Sequence, residues 1–195
     1  MYFFTADQHY GHENIIKYCA RPFSNVDEMD NTIIQRHNSL VKDDDTVVHV
    51  GDFAFAKKRP QQLIDTLNGK HVFIKGSHDK WLCGSVPIWE TELVGHTIIV
   101  CHYAMRSWPR SHYGAWHVFG HSHGRLGGLG LSHDVGVDAN DFYPVSFEKL
   151  RQILYKKAEY ILDNPQGKLV DCYRAALNRF VEEERQREAE ENESG

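Results

Sequence analysis

Five short motifs in this chain combine carboxylate and imidazole side chains, and each follows a stretch that is predicted to be a β-strand. In chain order they are Asp7-Gln8-His9, Gly51-Asp52, Gly76-Ser77-His78-Asp79, His102 and Gly120-His121-Ser122-His123. Alternate residues of an extended segment point to the same side, so both ligands of a D-x-H or H-x-H motif could face one site. A glycine precedes Asp52, Ser77 and His121, which would permit a sharp turn at the end of each strand. With 13 histidines in 195 residues, metal ligation is the first chemistry to consider.

The ligand types indicate which metals such a site would take. Carboxylates and imidazoles without thiolates favour a catalytic first-row divalent ion, with Mn, Fe, Zn, Co and Ni all open, over a structural site. One carboxylate can bridge two ions about 3.5–4 Å apart, which is the geometry of two-metal phosphate chemistry. Each motif alone is common, and His102 could equally be a satisfied histidine at a strand end. The prediction therefore depends on the five motifs occurring together.

The elements between the motifs predict the fold. Strands are predicted at 2–5, 46–50, 71–75, 90–93, 97–102, 117–120 and 135–137, and helices at 26–41, 60–68, 147–162 and from 169 onward. Strands alternate with helices in the first half and are joined by turns in the second. This order predicts an α/β sandwich with two mixed β-sheets flanked by helices. The glycine-rich stretch 124–130 lacks the Gly-Lys-Ser/Thr ending of a P-loop and is predicted to be a flexible turn.

Composition limits the classes of protein that fit. The chain is 41% hydrophobic and 25% charged, which is typical of a globular domain, and neither a signal peptide nor a membrane-spanning run is predicted. The four cysteines form no CxxC pair, which excludes a cysteine-rich zinc site and favours reduced thiols in the cytoplasm.

The charge is unevenly distributed along the chain. Residues 182–193 contain seven Glu and two Arg, and this segment accounts for the whole net charge of −5. The neutral remainder indicates no attraction to membranes or to long duplex nucleic acid. We therefore expect a domain at 1–155, a C-terminal helical extension at 156–181 and an acidic, disordered tail at 182–195. The extension could cover the core or pair two copies in a homodimer.

Taken together and in this order, the motifs resemble the calcineurin-like metallophosphoesterase superfamily, whose pattern is D-x-H, G-D, G-N-H-D/E, H and G-H-x-H. The resemblance covers about residues 2–150 and is closest to the compact single-domain phosphoesterases of bacteria and phages. Segments 21–23, 45–53 and 134–138 are similar to that group. The resemblance implies a metallophosphoesterase-type sandwich that hydrolyses a phosphate ester, a small phosphodiester or nucleotide in preference to a monoester, with two divalent ions, Mn first among the candidates.

Residue roles follow from the same resemblance. It implies seven metal ligands, which are Asp7, His9 and His123 for a first ion, Asp52 for both ions, and Ser77, His102 and His121 for a second. His78 would contact the phosphate and help the leaving group depart, and Asp79 would orient His78. The family has Asn where this chain has Ser77, a shorter and weaker oxygen donor. This departure keeps an alternative open, a catalytically weakened or inactivated module that binds metal and phosphate.

Four further residues are candidates for substrate contact. The segment 103–117 carries arginines and aromatic rings without an acidic residue, so Arg106 and Trp108 could grip a phosphate and stack a base. A surface loop with aromatics packed beneath it is an equal alternative. His12 and Arg21 could also meet the phosphate, or belong to the first turn of a helix.

Overall fold

Two four-stranded sheets form the centre of the molecule. The computed structural model describes residues 1–55, 60–84, 87–164 and 168–193, with side chains of 168–173 excepted. The first sheet contains β1 (Tyr2–Thr5), β2 (Thr46–Val50), β3 (Lys70–Ile74) and β8 (Val145–Ser146), in the order β3-β2-β1-β8. Its first three strands are parallel, and the last is antiparallel to β1.

The second sheet contains β4 (Trp89–Leu93), β5 (His96–Val100), β6 (Trp116–Phe119) and β7 (Ser132–Asp134), in chain order. The first two strands form an antiparallel hairpin, whereas β5, β6 and β7 run parallel. Neighbouring parallel strands have their carboxyl ends at the same edge of a sheet. The loops that follow these strands are therefore brought together.

Five helices accompany the sheets in the described residues: α1 (Glu13–Tyr18), α2 (Val26–Leu40), α3 (Pro60–Ile64), α4 (Phe147–Asp163) and α5 (Lys168–Glu193). The Asn25 side chain caps α2 by accepting the Glu28 amide at 2.9 Å, which satisfies one of the free N–H groups at the helix start. None of the described helices is both long and apolar enough to cross a membrane.

The main core lies between the two sheets and the last two helices. Phe4 and Val48 from the first sheet share one apolar cluster with Ile98 and Trp116 from the second. A second cluster packs α2 and α3 beside the first sheet, around Met29. The prediction of two mixed sheets flanked by helices is confirmed.

One predicted strand lies elsewhere in the structure, and two short elements are absent from the predictions. The strand predicted at 135–137 lies earlier, at Ser132–Asp134, and Val137–Ala139 forms a 3-10 turn. Residues 135–137 have the sequence pattern of a strand because they bond to the segment after β1. Ala6 N donates to Val135 O at 3.1 Å, and Val137 N donates to Ala6 O at 3.0 Å. Helix α1 and strand β8 are too short to show a periodic pattern and were not predicted.

The C-terminal segment departs from the predicted domain boundaries. Leu177, Phe180 and Val181 belong to the core between the sheets, so this part of the 156–181 segment covers the core, which is one of the two roles expected of it. Residues 182–193 continue α5 instead of forming a disordered tail. Buried Glu184 explains this, because it lies 3.2 Å from Arg187 Nη2 and 3.6 Å from Arg151 Nε and so anchors the last turns to α4. The predicted apolar residues Leu169, Val170 and Tyr173 lie outside the described side chains.

Candidate metal centre

The loops that follow β1, β2, β3, β5 and β6 meet at one place and carry all the predicted metal ligands. Backbone hydrogen bonds fix them to one another: the Asp7 amide donates to Gly51 O, the His9 amide to Asp52 O and the Gly120 amide to His102 O, each at 3.0 Å. The positions of the loops therefore depend on the sheets and on each other.

Two groups of side chains could each hold a metal ion. In the first ligand group (Asp7, His9, His123) one potential ligand atom from each residue lies within 4.8 Å of the others, and the second ligand group (Asp52, His102, His121) satisfies the same limit. Asp52 Oδ2 lies 3.6 Å from His9 Nε2 and 3.2 Å from His102 Nε2. One carboxylate oxygen thus faces a histidine from each group, which is the position that a bridging ligand requires.

Unpartnered polar atoms show that these residues fit a cation. Asp7 Oδ1 and both ring nitrogens of His9 are buried and have no hydrogen-bond partner among the described residues. Leaving such atoms buried without a partner costs free energy. A divalent ion between them would supply the missing partner, and the mixture of carboxylate and imidazole ligands suits first-row metals.

The backbone of the centre is strained. Five of the predicted ligands adopt left-handed φ values between +50° and +66°, namely Asp7, His9, Asp52, His121 and His123. This region is costly for residues with a Cβ atom and tends to occur at functional sites, where the surrounding structure holds it in place. The D-x-H and H-x-H motifs therefore lie in tight turns beyond the strand ends, and not within extended strands.

The motif glycines serve two purposes. Gly51 has a φ of +91°, which fits the predicted sharp turn, whereas Gly76 and Gly120 have no left-handed φ. A Cβ atom on Gly76 would lie 2.3 Å from Asp52 N and Oδ1, and one on Gly120 would lie 2.8 Å from Asp7 Oδ2. At these two positions the glycine lets one loop approach a ligand carboxylate closely.

Gly76→Ala is expected to displace Asp52 and to weaken metal binding. The new methyl group meets backbone, which cannot give way cheaply, and overpacking of this kind costs about 1–3 kcal/mol of stability. Gly127→Ala is the matched control, because a Cβ atom there meets nothing within 4 Å. Thermal unfolding and metal titration of both variants check the prediction. Equal metal affinity in Gly76→Ala and the parent would contradict it.

The two carboxylates of the centre differ in their electrostatics. Burial raises the pKa of Asp7 to about 7, since the charged form loses its hydration. Burial favours a higher pKa for Asp52 as well. The hydrogen bonds from His102 and from the His78 amide outweigh this effect and hold the Asp52 pKa below its ordinary value. For His102, the hydrogen bond and charge of Asp52 outweigh burial and raise the pKa. The pKa values of Asp7 and Asp52 thus shift in opposite directions within one buried group.

His78 and His12 lie beside the two ligand groups. The His78 ring centroid is 5.0 Å from that of His9 and 5.9 Å from that of His12. The His12 ring stacks on Phe55 at 4.4 Å. One nitrogen of His78 is also within 4.8 Å of potential ligand atoms of His9 and Asp52, so its position suits either a phosphate contact or metal ligation.

Asp79 does not orient His78 in the predicted way. Its fully buried carboxylate accepts the amides of Asp52 at 2.7 Å, Gly76 at 2.8 Å and Phe53 at 2.9 Å, and the Trp81 indole N–H at 3.2 Å. None of these bonds goes to the His78 ring. The contacts show instead that Asp79 ties the 76–79 turn to the loop that carries Asp52.

Ser77 contacts Asp52 through its hydroxyl group. Ser77 Oγ donates to Asp52 Oδ2 at 3.1 Å, and the side chain is otherwise exposed. The hydroxyl therefore contacts the oxygen that faces both ligand groups. A hydroxyl in this place competes with a cation for the carboxylate, whereas an amide oxygen could only accept.

Two of the residues predicted to contact substrate are buried. Arg21 is 4% exposed and its guanidinium bonds lead into the protein, to Asp138 and to the carbonyls of Asp7 and Gln8. Trp108 is 6% exposed and its indole donates to Ala115 O at 2.7 Å. Arg106 is exposed and lines a groove of about 410 Å³ with apolar neighbours. Of the four candidates, only His12 lies among the ligand groups.

Asp138 was not predicted and belongs to the site. Its Oδ2 lies 2.7 Å from His123 Nδ1, on the ring of a predicted ligand. The available signal was its position at the end of the segment 134–138, which carries the family resemblance but was assigned no role.

Comparisons with known proteins place the chain among proteins whose names state no activity. No family model matches it. The uncharacterized protein MJ1445 of Methanocaldococcus jannaschii is 34% identical over 164 residues, which cover 79% of this chain and 91% of that protein. The crystal structure of the protein of unknown function AQ665 from Aquifex aeolicus aligns with a TM-score of 0.63 and 21% identity, over 78% of this chain and 98% of that one. The structural likeness concerns the fold alone.

Proposed function

The chain belongs to the same family as the uncharacterized protein MJ1445 of Methanocaldococcus jannaschii, and we propose that it is a metallophosphoesterase with two divalent ions. The observation that carries this proposal is the position of Asp52 Oδ2, which faces His9 of one ligand group and His102 of the other. Two ions at such a site would activate water and draw charge from the phosphoryl oxygens. The α/β sandwich is then of the metallophosphoesterase type.

The residues of the chain supply binding and proton transfer. The phosphate meets His78 and His12, whose rings lie 5.9 Å apart and are only half-buried. His78 in its protonated form donates a proton to the departing ester oxygen, which avoids the release of an alkoxide. Asp79 holds the turn that presents His78, and Asp52 accepts the His78 amide at 2.8 Å.

A small phosphodiester or nucleotide is the proposed substrate. The imidazoles of His12 and His78 lie beside the first ligand group, and they suit the single charge of a diester better than the double charge of a monoester. Burial of Trp108 removes the ring predicted to stack a base, and burial of Arg21 removes one predicted phosphate contact. The proposal therefore gives the phosphodiester more weight than the base. Mn is the first candidate metal, the cytoplasm is the proposed location, and a homodimer stays a prediction.

The proposal is tested with metal-free protein loaded with Mn²⁺, Co²⁺, Ni²⁺, Zn²⁺ or Fe²⁺. Turnover of bis-p-nitrophenyl phosphate and of p-nitrophenyl phosphate is measured for each metal, together with the number of bound ions per chain. Two ions with faster turnover of the diester support the proposal. One ion without turnover supports the second candidate, a weakened module that binds metal and phosphate, which the Ser77 hydroxyl on Asp52 favours.

Ser77→Asn is expected to tighten the second ion and to raise activity. The amide oxygen reaches further than a hydroxyl and removes the competing hydrogen bond to Asp52. A gain of 1.4 kcal/mol corresponds to about tenfold in metal affinity. Titration of Mn²⁺ into the metal-free protein, with turnover as the signal, measures the change. Ser39→Asn on the exposed face of α2 is the control, and an unchanged midpoint and saturated rate in Ser77→Asn would mean that the serine is harmless.

A further inference from the structure

A buried ion pair lies directly behind the first ligand group. Arg21 Nε donates to Asp138 Oδ1 at 2.8 Å and Arg21 Nη2 to Asp138 Oδ2 at 2.7 Å, in a two-pronged pair. The Arg21 side chain is 0% exposed and that of Asp138 is 7% exposed. Buried pairs of this kind are expensive to desolvate and add little stability on average. Stabilisation of the fold is therefore a weak explanation for this pair, and its other contacts indicate a second role.

Each partner of the pair also holds one half of the first ligand group. Asp138 Oδ2 lies 2.7 Å from His123 Nδ1. Arg21 donates from Nη2 to Asp7 O at 2.6 Å and from Nη1 to Gln8 O at 3.0 Å, which fixes the loop whose Asp7 and His9 have left-handed φ values. One guanidinium and one carboxylate thus connect the two loops that carry this group.

We propose that Arg21 and Asp138 are positioning residues for the first ligand group, an inference that rests on the proposed metal centre. Asp138 accepts a hydrogen bond from the N–H group at His123 Nδ1, so the lone pair of His123 is on Nε2, the nitrogen free to ligate. The two-pronged contact with Arg21 directs the Asp138 carboxylate toward His123, and the two bonds from Arg21 to carbonyl oxygens hold the strained Asp7–His9 turn. Carboxylate partners of this kind orient ligating imidazoles in metalloproteins.

The second ligand group is held by a different contact, so the proposal predicts an effect on the first group only. His102 Nδ1 lies 2.9 Å from Val50 O, a backbone carbonyl that no side-chain substitution removes. Loss of the Asp138 charge should therefore weaken the ion of the first group and leave the ion of the second group unchanged. A general structural role would instead weaken both.

A double-mutant cycle tests this selectivity. Co²⁺ binding to metal-free protein is measured by calorimetry and by the visible absorption of the bound ion, for Asp138→Asn alone and combined with His121→Ala or His123→Ala. In the His121→Ala background, where the first group remains, Asp138→Asn is expected to lower Co²⁺ affinity roughly 10–100-fold. In the His123→Ala background it should cause no further loss, because the ring that it positions is absent.

Two further variants distinguish a loss of positioning from a general loss of stability. Arg21→Lys keeps the charge but loses the two-pronged geometry, and an intermediate loss of affinity confined to the first group is expected. Glu184→Gln breaks the buried ion pair of α5, distant from the centre, and should lower the melting temperature without changing Co²⁺ affinity.

Equal losses from Asp138→Asn in both histidine backgrounds, or no loss in either, would overturn the proposal. A parent chain that binds two ions and shows the selective effect but hydrolyses no phosphate ester would refute the proposed function and leave the positioning role standing. A parent chain that binds no Co²⁺ would refute both.

Discussion

Asp52→Asn is expected to abolish phosphoester hydrolysis and to reduce the number of bound ions per chain. In the protein, Asp52 Oδ1 accepts the His78 amide at 2.8 Å while Oδ2 faces His9 and His102. Asparagine can keep an oxygen toward the His78 amide, so the turn should persist. Its NH₂ group then faces the two imidazoles and removes the acceptor that both ions would share. Several kcal/mol of electrostatic stabilisation are lost, and turnover should fall on the order of 10³-fold or more.

Metal analysis, turnover and circular dichroism of the Asp52→Asn variant check this expectation together. Asp141→Asn is the matched control, because Asp141 is an exposed carboxylate paired with Arg36. That control should keep both the ions and the activity. Turnover of the Asp52→Asn protein within a few-fold of the parent, with two ions bound, would exclude a bridging role for Asp52.

The predicted ligands could be found from the sequence because each lies just beyond a strand. Strands such as β2, with its run of β-branched residues, are evident without a structure, and parallel strands end at a common edge. Polar residues at those ends are therefore expected to be neighbours. The structure brings Asp7, Asp52 and His102 together as that reasoning requires.

The residues behind the ligands could not be predicted in this way. Arg21 bonds to Asp138 across 117 positions of sequence, and neither residue belongs to a repeating pattern. An arginine near a motif suggests a phosphate contact, whereas its burial depends on how α1 and the 3-10 turn at Val137–Ala139 pack. The close approach of Gly76 to Asp52 could not be predicted for a similar reason. The Asp52 atoms that a Cβ atom on Gly76 would meet belong to another loop.

The acidic C-terminal segment shows the same limit. Seven Glu residues suggest a solvated tail, but the conformation is decided by Glu184, which packs against Arg151 of α4. Composition describes the average of a segment, whereas a single buried ion pair depends on tertiary structure. Local charge therefore predicted a disordered tail where α5 continues to Glu193.

His78→Ala is expected to lower turnover on the order of 10²–10⁴-fold for a substrate with a poor leaving group. The imidazole would supply the proton that the departing oxygen needs, in addition to its contact with the phosphate. The loss should shrink for a nitrophenol ester, whose leaving group departs without a proton. Rates for an alkyl and a nitrophenyl phosphodiester, measured on the same preparation, give the ratio directly.

Metal content decides between the two roles that the position of His78 permits. One of its nitrogens lies close enough to His9 and Asp52 to ligate an ion, so a ligand role would lower the number of bound ions in His78→Ala. An acid role would leave that number unchanged and make the loss depend on the leaving group. His112→Ala is the control, because His112 is exposed and its ring lies 4.1 Å from that of Tyr113. Equal losses for both esters together with a lost ion would assign His78 to the metal and remove it as the proton donor.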